Sequence, residues 1–199
     1  MRKINLLLVV ALFISASLGA QTAAKKGNYK FLKGESSFSI KFEYDDMIIG
    51  KKLTEEEYVS EKVADYNEDE AGKGEKWKES WFGSRDARYE PKFEALINKS
   101  LQKSGLTASE GNEAKYMLIV KTIYTEPGFN VGVMKKPAFV NFVFIFIDTE
   151  SGEEVANYTL SKVPGSQSMG FDYDAGSRIA ESYAKGGKML GSYITKNLK

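Results

Sequence analysis

The sequence predicts an α+β domain: a mixed sheet of about four strands in the order β-α-β-β-β-α, with the two main helices packed on one face. Three observations carry this expectation. The stretch Pro137–Asp148, PAFVNFVFIFID, is dense in β-branched and aromatic residues and bounded by turn or charged residues, as one strand would be. Runs at 115–125 and 154–163 flank it with turn sequences between, so the three should form a meander. Two further stretches, one ending near Ser104 and one at the C-terminus, repeat apolar residues at helical spacing.

Residues 1–20 read as a signal peptide. Arg2 and Lys3 supply the positive start, Leu6–Ile14 an apolar run too short to span a bilayer, and Ser15–Ala20 small residues before Gln21. Of the 28 basic residues, Arg2 and Lys3 leave with the leader, so 26 face 27 acidic ones and the net charge is −1. That balance gives no electrostatic case for nucleic acid. The chain has no cysteine, which excludes disulfides, thiolate metal sites and a lipid-bearing Cys after the leader. It has no histidine either, so any chemistry must run on carboxylates, Lys, Tyr or hydroxyls. These zeros weigh against an enzyme, and no cofactor or metal site is expected; the leader predicts a periplasmic or secreted protein with no membrane insertion once it is cleaved.

Residues 21–36 are polar, basic and small, and read as a flexible arm before a single domain over 37–199. Ser37–Ile49 alternates Phe38, Ile40, Phe42 and Tyr44 with polar residues, the pattern of a half-buried strand. A helical excursion follows over 54–82. Thr54-Glu55-Glu56-Glu57 is a capping box, a short helix runs to about Tyr66, and 67–76 is a polar loop with two glycines. Trp77, Trp81 and Phe82 then read as an aromatic clasp packing the excursion onto the domain. Pro91 suits a first helical turn, Phe93, Leu96, Ile97, Ser100 and Leu101 form a stripe, and Gly105 ends the helix.

In the central strand, Val140, Phe142, Phe144 and Phe146 face one way and Phe139, Val143, Ile145 and Ile147 the other. Both faces should therefore be covered, the second by Trp77, Trp81 and Phe82 or by a partner. The terminal helix starts from Asp174 as its cap. It threads Ala180, Ala184, Gly187 and Gly191 among Ile179, Tyr183, Leu190 and Ile194, which suggests a close approach to the sheet.

Chemical motifs are weak. Ser182-Tyr183-Ala184-Lys185 has the Ser-x-x-Lys spacing of penicillin-binding enzymes, but the companion Lys-Thr-Gly appears only as Lys121-Thr122-Ile123. Ser166–Gly170 misses the Gly-x-Ser-x-Gly elbow, and the start of a calcium loop at Asp172-Tyr173-Asp174 lacks its later ligands. In a meander, the loops at 127–137 and 164–173 lie at one end of the sheet. They carry Phe129, Val131, Val133, Met134, Met169, Phe171 and Tyr173, the expected binding residues, unless these tuck under the sheet.

The run Ala114-Lys115-Tyr116-Met117-Leu118-Ile119-Val120, the turn from Asp148 through Ser151-Gly152-Glu153-Glu154-Val155, and the glycine-rich C-terminal helix add a resemblance. Over about 37–198 the order resembles the small exported α/β module of penicillin-binding-protein activator lipoproteins, the N-terminal domain of the Tol translocation protein and the periplasmic domain of the curli export channel. It is similar also to secreted proteins of Bacteroidetes whose leader ends in Ala-Gln. The resemblance implies a non-catalytic binding or structural module of the cell envelope that engages a protein or envelope polymer. The alternative is an envelope glycan- or peptide-acting enzyme using carboxylate or Ser/Lys chemistry. The missing lipid-bearing Cys and the large 54–82 excursion depart from the pattern of these modules.

Overall fold

The computed structural model describes residues 22–26, 28–131, 134–165 and 175–198. In chain order the strands are β1 (Thr22–Lys26), β2 (Ser37–Glu43), β3 (Ile48–Ile49) and β4 (Leu53–Thr54). Helices α1 (Glu55–Asp69), α2 (Lys73–Ser84) and α3 (Glu90–Leu101) follow, the last two joined by a π-helical turn at Arg85–Tyr89. Then come β5 (Thr107–Glu110), β6 (Tyr116–Glu126), β7 (Phe129–Val131), β8 (Met134–Lys136), β9 (Phe139–Asp148), β10 (Glu154–Pro164) and α4 (Ala175–Asn197).

The fold is α+β, with α3 and α4 packed on one face of a mixed sheet. Its strand order is β1-β10-β9-β6-β2-β5, with the short β3–β4 pair attached to β6, so the sheet is larger than the four strands expected. The meander β6-β9-β10 is antiparallel, while β2 lies parallel to both β6 and β5. Two strands escaped the sequence pattern for the same reason. β5 is only Thr-Ala-Ser-Glu, and β1 is Thr-Ala-Ala-Lys-Lys, so neither has an alternating apolar face to announce it. Their backbones are recruited to satisfy edges that would otherwise stay open.

The arm expected over 21–36 is thus corrected. β1 pairs with β10, and the following turn buries Tyr29 and Leu32. Tyr29 meets Phe146 and Tyr193 edge-on at 5.6 and 5.4 Å, so aromatic contacts hold a segment whose composition reads as polar.

The excursion is a helical hairpin. Thr54 and Glu57 make the capping box: the Thr54 Oγ1 accepts the Glu57 N–H at 3.2 Å and Glu57 Oε2 accepts the Thr54 N–H at 2.8 Å. The polar loop expected over 67–76 shrinks to a tight turn, because its two glycines have separate uses. Gly72 takes a left-handed φ of 81°, and a Cβ at Gly74 would lie 2.3 Å from the Val63 carbonyl oxygen.

Within β9, Val140, Phe142, Phe144 and Phe146 are fully buried beneath the helices. Phe144 packs on Phe93 of α3 and Phe142 on Tyr183 of α4. The opposite side differs from expectation. Val143, Ile145 and Ile147 of β9, with Met117 and Ile119 of β6, stay partly exposed and lie outside the core cluster. The tryptophans do not cover them: Trp77 and Trp81 stack 5.5 Å apart against Tyr58 and Tyr66, within the helical layer. The cause is chain order, since α1 and α2 lead directly into α3 and extend its layer.

Gly187 and Gly191 set the spacing of that layer, and their neighbour is α3 rather than the sheet. A Cβ on Gly187 would stand 2.4 Å from the Phe93 carbonyl oxygen, and one on Gly191 2.8 Å from that of Ile97. Gly187→Ala should therefore lower stability by about 1–3 kcal/mol through overpacking, outweighing the helix-propensity gain of about 1 kcal/mol. Gly83→Ala in α2, where nothing lies within 4 Å, serves as control and should raise stability slightly. Urea denaturation of both variants measures the contrast.

Candidate binding cleft

The 127–137 loop is a β-hairpin, β7–β8, whose base is built by three features. Gly128 adopts φ 65°, and a Cβ there would lie 2.3 Å from the Lys136 carbonyl oxygen, so only glycine lets the two strands approach. The Glu126 carboxylate, buried beside it, accepts the Gly128 N–H at 3.2 Å and the Lys136 Nζ at 2.6 Å. From α4 the buried guanidinium of Arg178 donates to the carbonyls of Pro127 at 3.2 Å and Gly128 at 3.3 Å. A charge taken out of water needs such partners, and removing Arg178 would take these donors from the buried Pro127 and half-buried Gly128 carbonyls.

This hairpin and the excursion enclose a cleft of about 380 Å³, open to solvent. One wall is α1 with Tyr58, Glu61, Lys62 and Tyr66, backed by Trp77. The other is the hairpin base with Phe129 and Lys136, and Lys51 stands at the rim. Phe129 is 37% exposed, although most large apolar side chains among the described residues are buried or half-buried. Lys62 sits 5.6 Å from the centre of the Tyr66 ring, which adds a cation to the aromatic wall. The cleft can hold a flat or apolar group between aromatic faces while Lys51, Lys62 and Glu61 hydrogen-bond its polar edges.

Of the expected binding residues, the structure places Phe129 on the cleft and Met134 on the second hairpin strand, β8, 62% exposed. Val131 lies in β7, paired with Met134. Val133, Met169, Phe171 and Tyr173, with the expected cap Asp174, fall outside the described residues, as does the leader. Lys51, Tyr58, Tyr66 and Arg178 went unrecognised in the sequence. Arg178 did leave a signal: it shares a helical stripe with Ala175, Ile179, Ser182 and Tyr183, an arginine on a face that is otherwise small or apolar.

The Ser-x-x-Lys match does not form a nucleophile and base. Ser182 is fully buried, and the Lys185 Nζ donates to the Gly165 carbonyl at 3.0 Å. Such a serine cannot reach a substrate, and its lysine is turned to a structural task.

Behind the cleft a polar cluster ties the excursion to the sheet. Glu55 at the start of α1 accepts both the Arg85 guanidinium and the Trp81 Nε1–H, the latter at 2.8 Å. Arg85 lies over the Tyr44 ring at 4.0 Å, and the Tyr44 hydroxyl donates to Glu90 at 2.9 Å. The π-helical turn makes this possible, because its extra residue rotates Arg85 and Tyr89 inward before α3 begins. Burial raises the Glu90 carboxyl above its ordinary value, against the opposing hydrogen bond from Tyr44.

No family model matches the chain, and no curated protein matches it. Solved structures to which it is similar include the PelC dodecamer from Paraburkholderia phytofirmans, at 13% identity over 81% of this chain and 94% of that one, with a TM-score of 0.35. Another is a neuraminyllactose-binding hemagglutinin homolog from Helicobacter pylori, at 13% identity over 87% of this chain and 92% of that one, with a TM-score of 0.39. These scores are low, and neither likeness bears on the use of the cleft.

The raised Glu90 pKa has a defined sign in stability. The folded state holds this proton more tightly than the unfolded chain, so the contribution is fully present below the unfolded value near 4.5 and is lost as pH rises through the folded value. Glu90→Gln keeps an acceptor for Tyr44 and removes the titration. Relative to the native chain it should gain stability at pH 7, and the gain should disappear below about pH 4.5, as read by thermal melts across pH.

Proposed function

We propose that this protein is an exported, non-catalytic binding module of the cell envelope that takes a segment of an envelope protein or polymer in the cleft between α1 and the β7–β8 hairpin. The observation that carries the reading is Phe129. It is a large apolar side chain held partly in solvent on a hairpin whose base is fixed by Gly128, Glu126 and Arg178. Fixing an exposed aromatic on a rigid base serves recognition, since the ordering cost of the loop has been met before a ligand arrives. The aromatic wall of Tyr58 and Tyr66 opposite, with Lys51, Lys62 and Glu61 around it, suits a chain that offers alternating apolar faces and polar edges, such as a glycan or an extended peptide.

Export rests on the leader read in residues 1–20. Among the described residues, no helix is long and apolar enough to cross a membrane.

The chain holds only two tryptophans, and Trp77 lines the cleft, so intrinsic fluorescence reports occupancy directly. Soluble peptidoglycan fragments and envelope oligosaccharides should shift the emission of the mature chain. Phe129→Ala and Lys51→Ala should each weaken that response at least about tenfold while leaving the melting temperature within a few degrees. Unchanged binding in both variants would remove the cleft as the site.

A further inference from the structure

The slab of α3 and α4 carries a second concave surface, at the end away from the cleft. The two helices run parallel: Gly187 faces Phe93, Gly191 faces Ile97, and the Thr195 hydroxyl donates to the Ser100 carbonyl at 3.0 Å. Their C-terminal ends therefore lie side by side. Between them is an open groove of about 490 Å³. Lys99 and Lys103 stand along one side, four residues apart, and Lys188, Ser192 and Lys196 along the other at the same spacing. Beyond Lys103 the groove continues into a hollow of about 320 Å³, where Lys33 adds a further cation and Glu35 one acid. The four lysines of the groove itself are exposed and no acidic residue lines it. Among the described residues none of the four is held in an ion pair, whereas Lys92, nearer the start of α3, pairs with Glu181 of α4.

We infer that this groove binds an anionic polysaccharide, at a site separate from the cleft. The argument is the surplus of positive charge in a mature chain whose net charge is close to zero. A helix C-terminus carries about −0.5 charge, so the two ends together offset about one of the four lysines. Lys188 also stands about two turns before the end of α4, beyond the reach of that field. Like charges four residues apart, as at Lys99 and Lys103, disfavour the helix that bears them, so the fold gains nothing by placing them there. A polyanion lying in the groove meets a lysine on either wall and relieves that repulsion. Lysine acts as a point charge on a flexible stem and reads charge density more than the planar shape of one group. Gln102 and Ser192 on the walls suit a chain rich in hydroxyls. The apolar residue of the lining, Leu96, is half-buried, and no aromatic residue is part of it. The groove thus has no faces on which nucleic-acid bases would stack and no side chain to enter a lipid surface. Its concave, elongated form fits a chain better than a plane. Groove and cleft share no residue, and Lys188 stands about 15 Å along α4 from Arg178.

Titration calorimetry of the leaderless chain with polygalacturonate, a linear polymer with a carboxylate on every sugar, tests the inference. The native chain should bind it, more weakly as salt rises, and should not bind neutral dextran. The double variant Lys99→Gln with Lys188→Gln should bind at least about tenfold more weakly, because two counterion-releasing contacts are lost. Lys76→Gln with Lys78→Gln makes the same charge change at exposed positions of α2 outside both sites and should bind as the native chain does. Phe129→Ala, in the cleft, should also leave polygalacturonate binding unchanged. No binding by the native chain overturns the inference, as does an equal loss in the α2 variant or a loss in Phe129→Ala. Oligothymidylate, or vesicles of phosphatidylglycerol and phosphatidylcholine, held through the same lysines as tightly as polygalacturonate would overturn the assignment to a polysaccharide.

Discussion

The close contact between α3 and α4 is the constraint from which the rest of the structure follows. Gly187 and Gly191 bring the backbone of α4 against the carbonyls of Phe93 and Ile97, closer than any side chain would permit. Helices this close act as one slab, and Phe93 and Tyr183 present a continuous surface to Phe144 and Phe142 of the central strand. The glycines carry a helix-propensity cost that is recovered in this packing. Once the slab is fixed, the start of α4 has only one place to lie, and Arg178 reaches the base of the β7–β8 hairpin from there.

The binding cleft is therefore a consequence of core packing more than of loop chemistry. One wall is tied to α4 through Arg178. The other, the α1–α2 hairpin, is tied to the sheet through Glu55, Arg85, Tyr44 and Glu90. Both ties are charged or polar groups whose partners lie far away in sequence. They are stronger as positioning devices than as sources of stability, since withdrawing such groups from water offsets much of what their pairing gains. A rigid cleft with an exposed Phe129 is what that arrangement yields.

Much of this was legible in the sequence where one element carries its own periodicity. The strand 139–148, the stripe Phe93-Ile97-Leu101, the Thr54–Glu57 capping box and the αL glycine at 105 all stand where local pattern puts them. Local pattern failed where tertiary pairing decides. β1 and β5 are strands only because β10 and β2 have edges to fill, and Thr107–Glu110 has no pattern of its own. It also misjudged coverage. A strand apolar on both faces suggests two covering layers, yet Ile145 and Ile147 lie on a face that no helix of the slab reaches. Phe129 was visible as a loop aromatic, whereas Tyr58 and Tyr66 of the opposing wall sit in a short helix whose local pattern gives no sign of a binding role.

The central claim is that α4 fixes the hairpin through Arg178, and amide hydrogen exchange tests it most directly. In Arg178→Met, which keeps the length of the side chain without its donors, exchange at Phe129 and Lys136 should quicken by at least about tenfold. Protection at Phe142 and Phe144, within the central strand, should hold. Unchanged exchange in the hairpin, or loss of protection spread evenly through β9, would contradict the account.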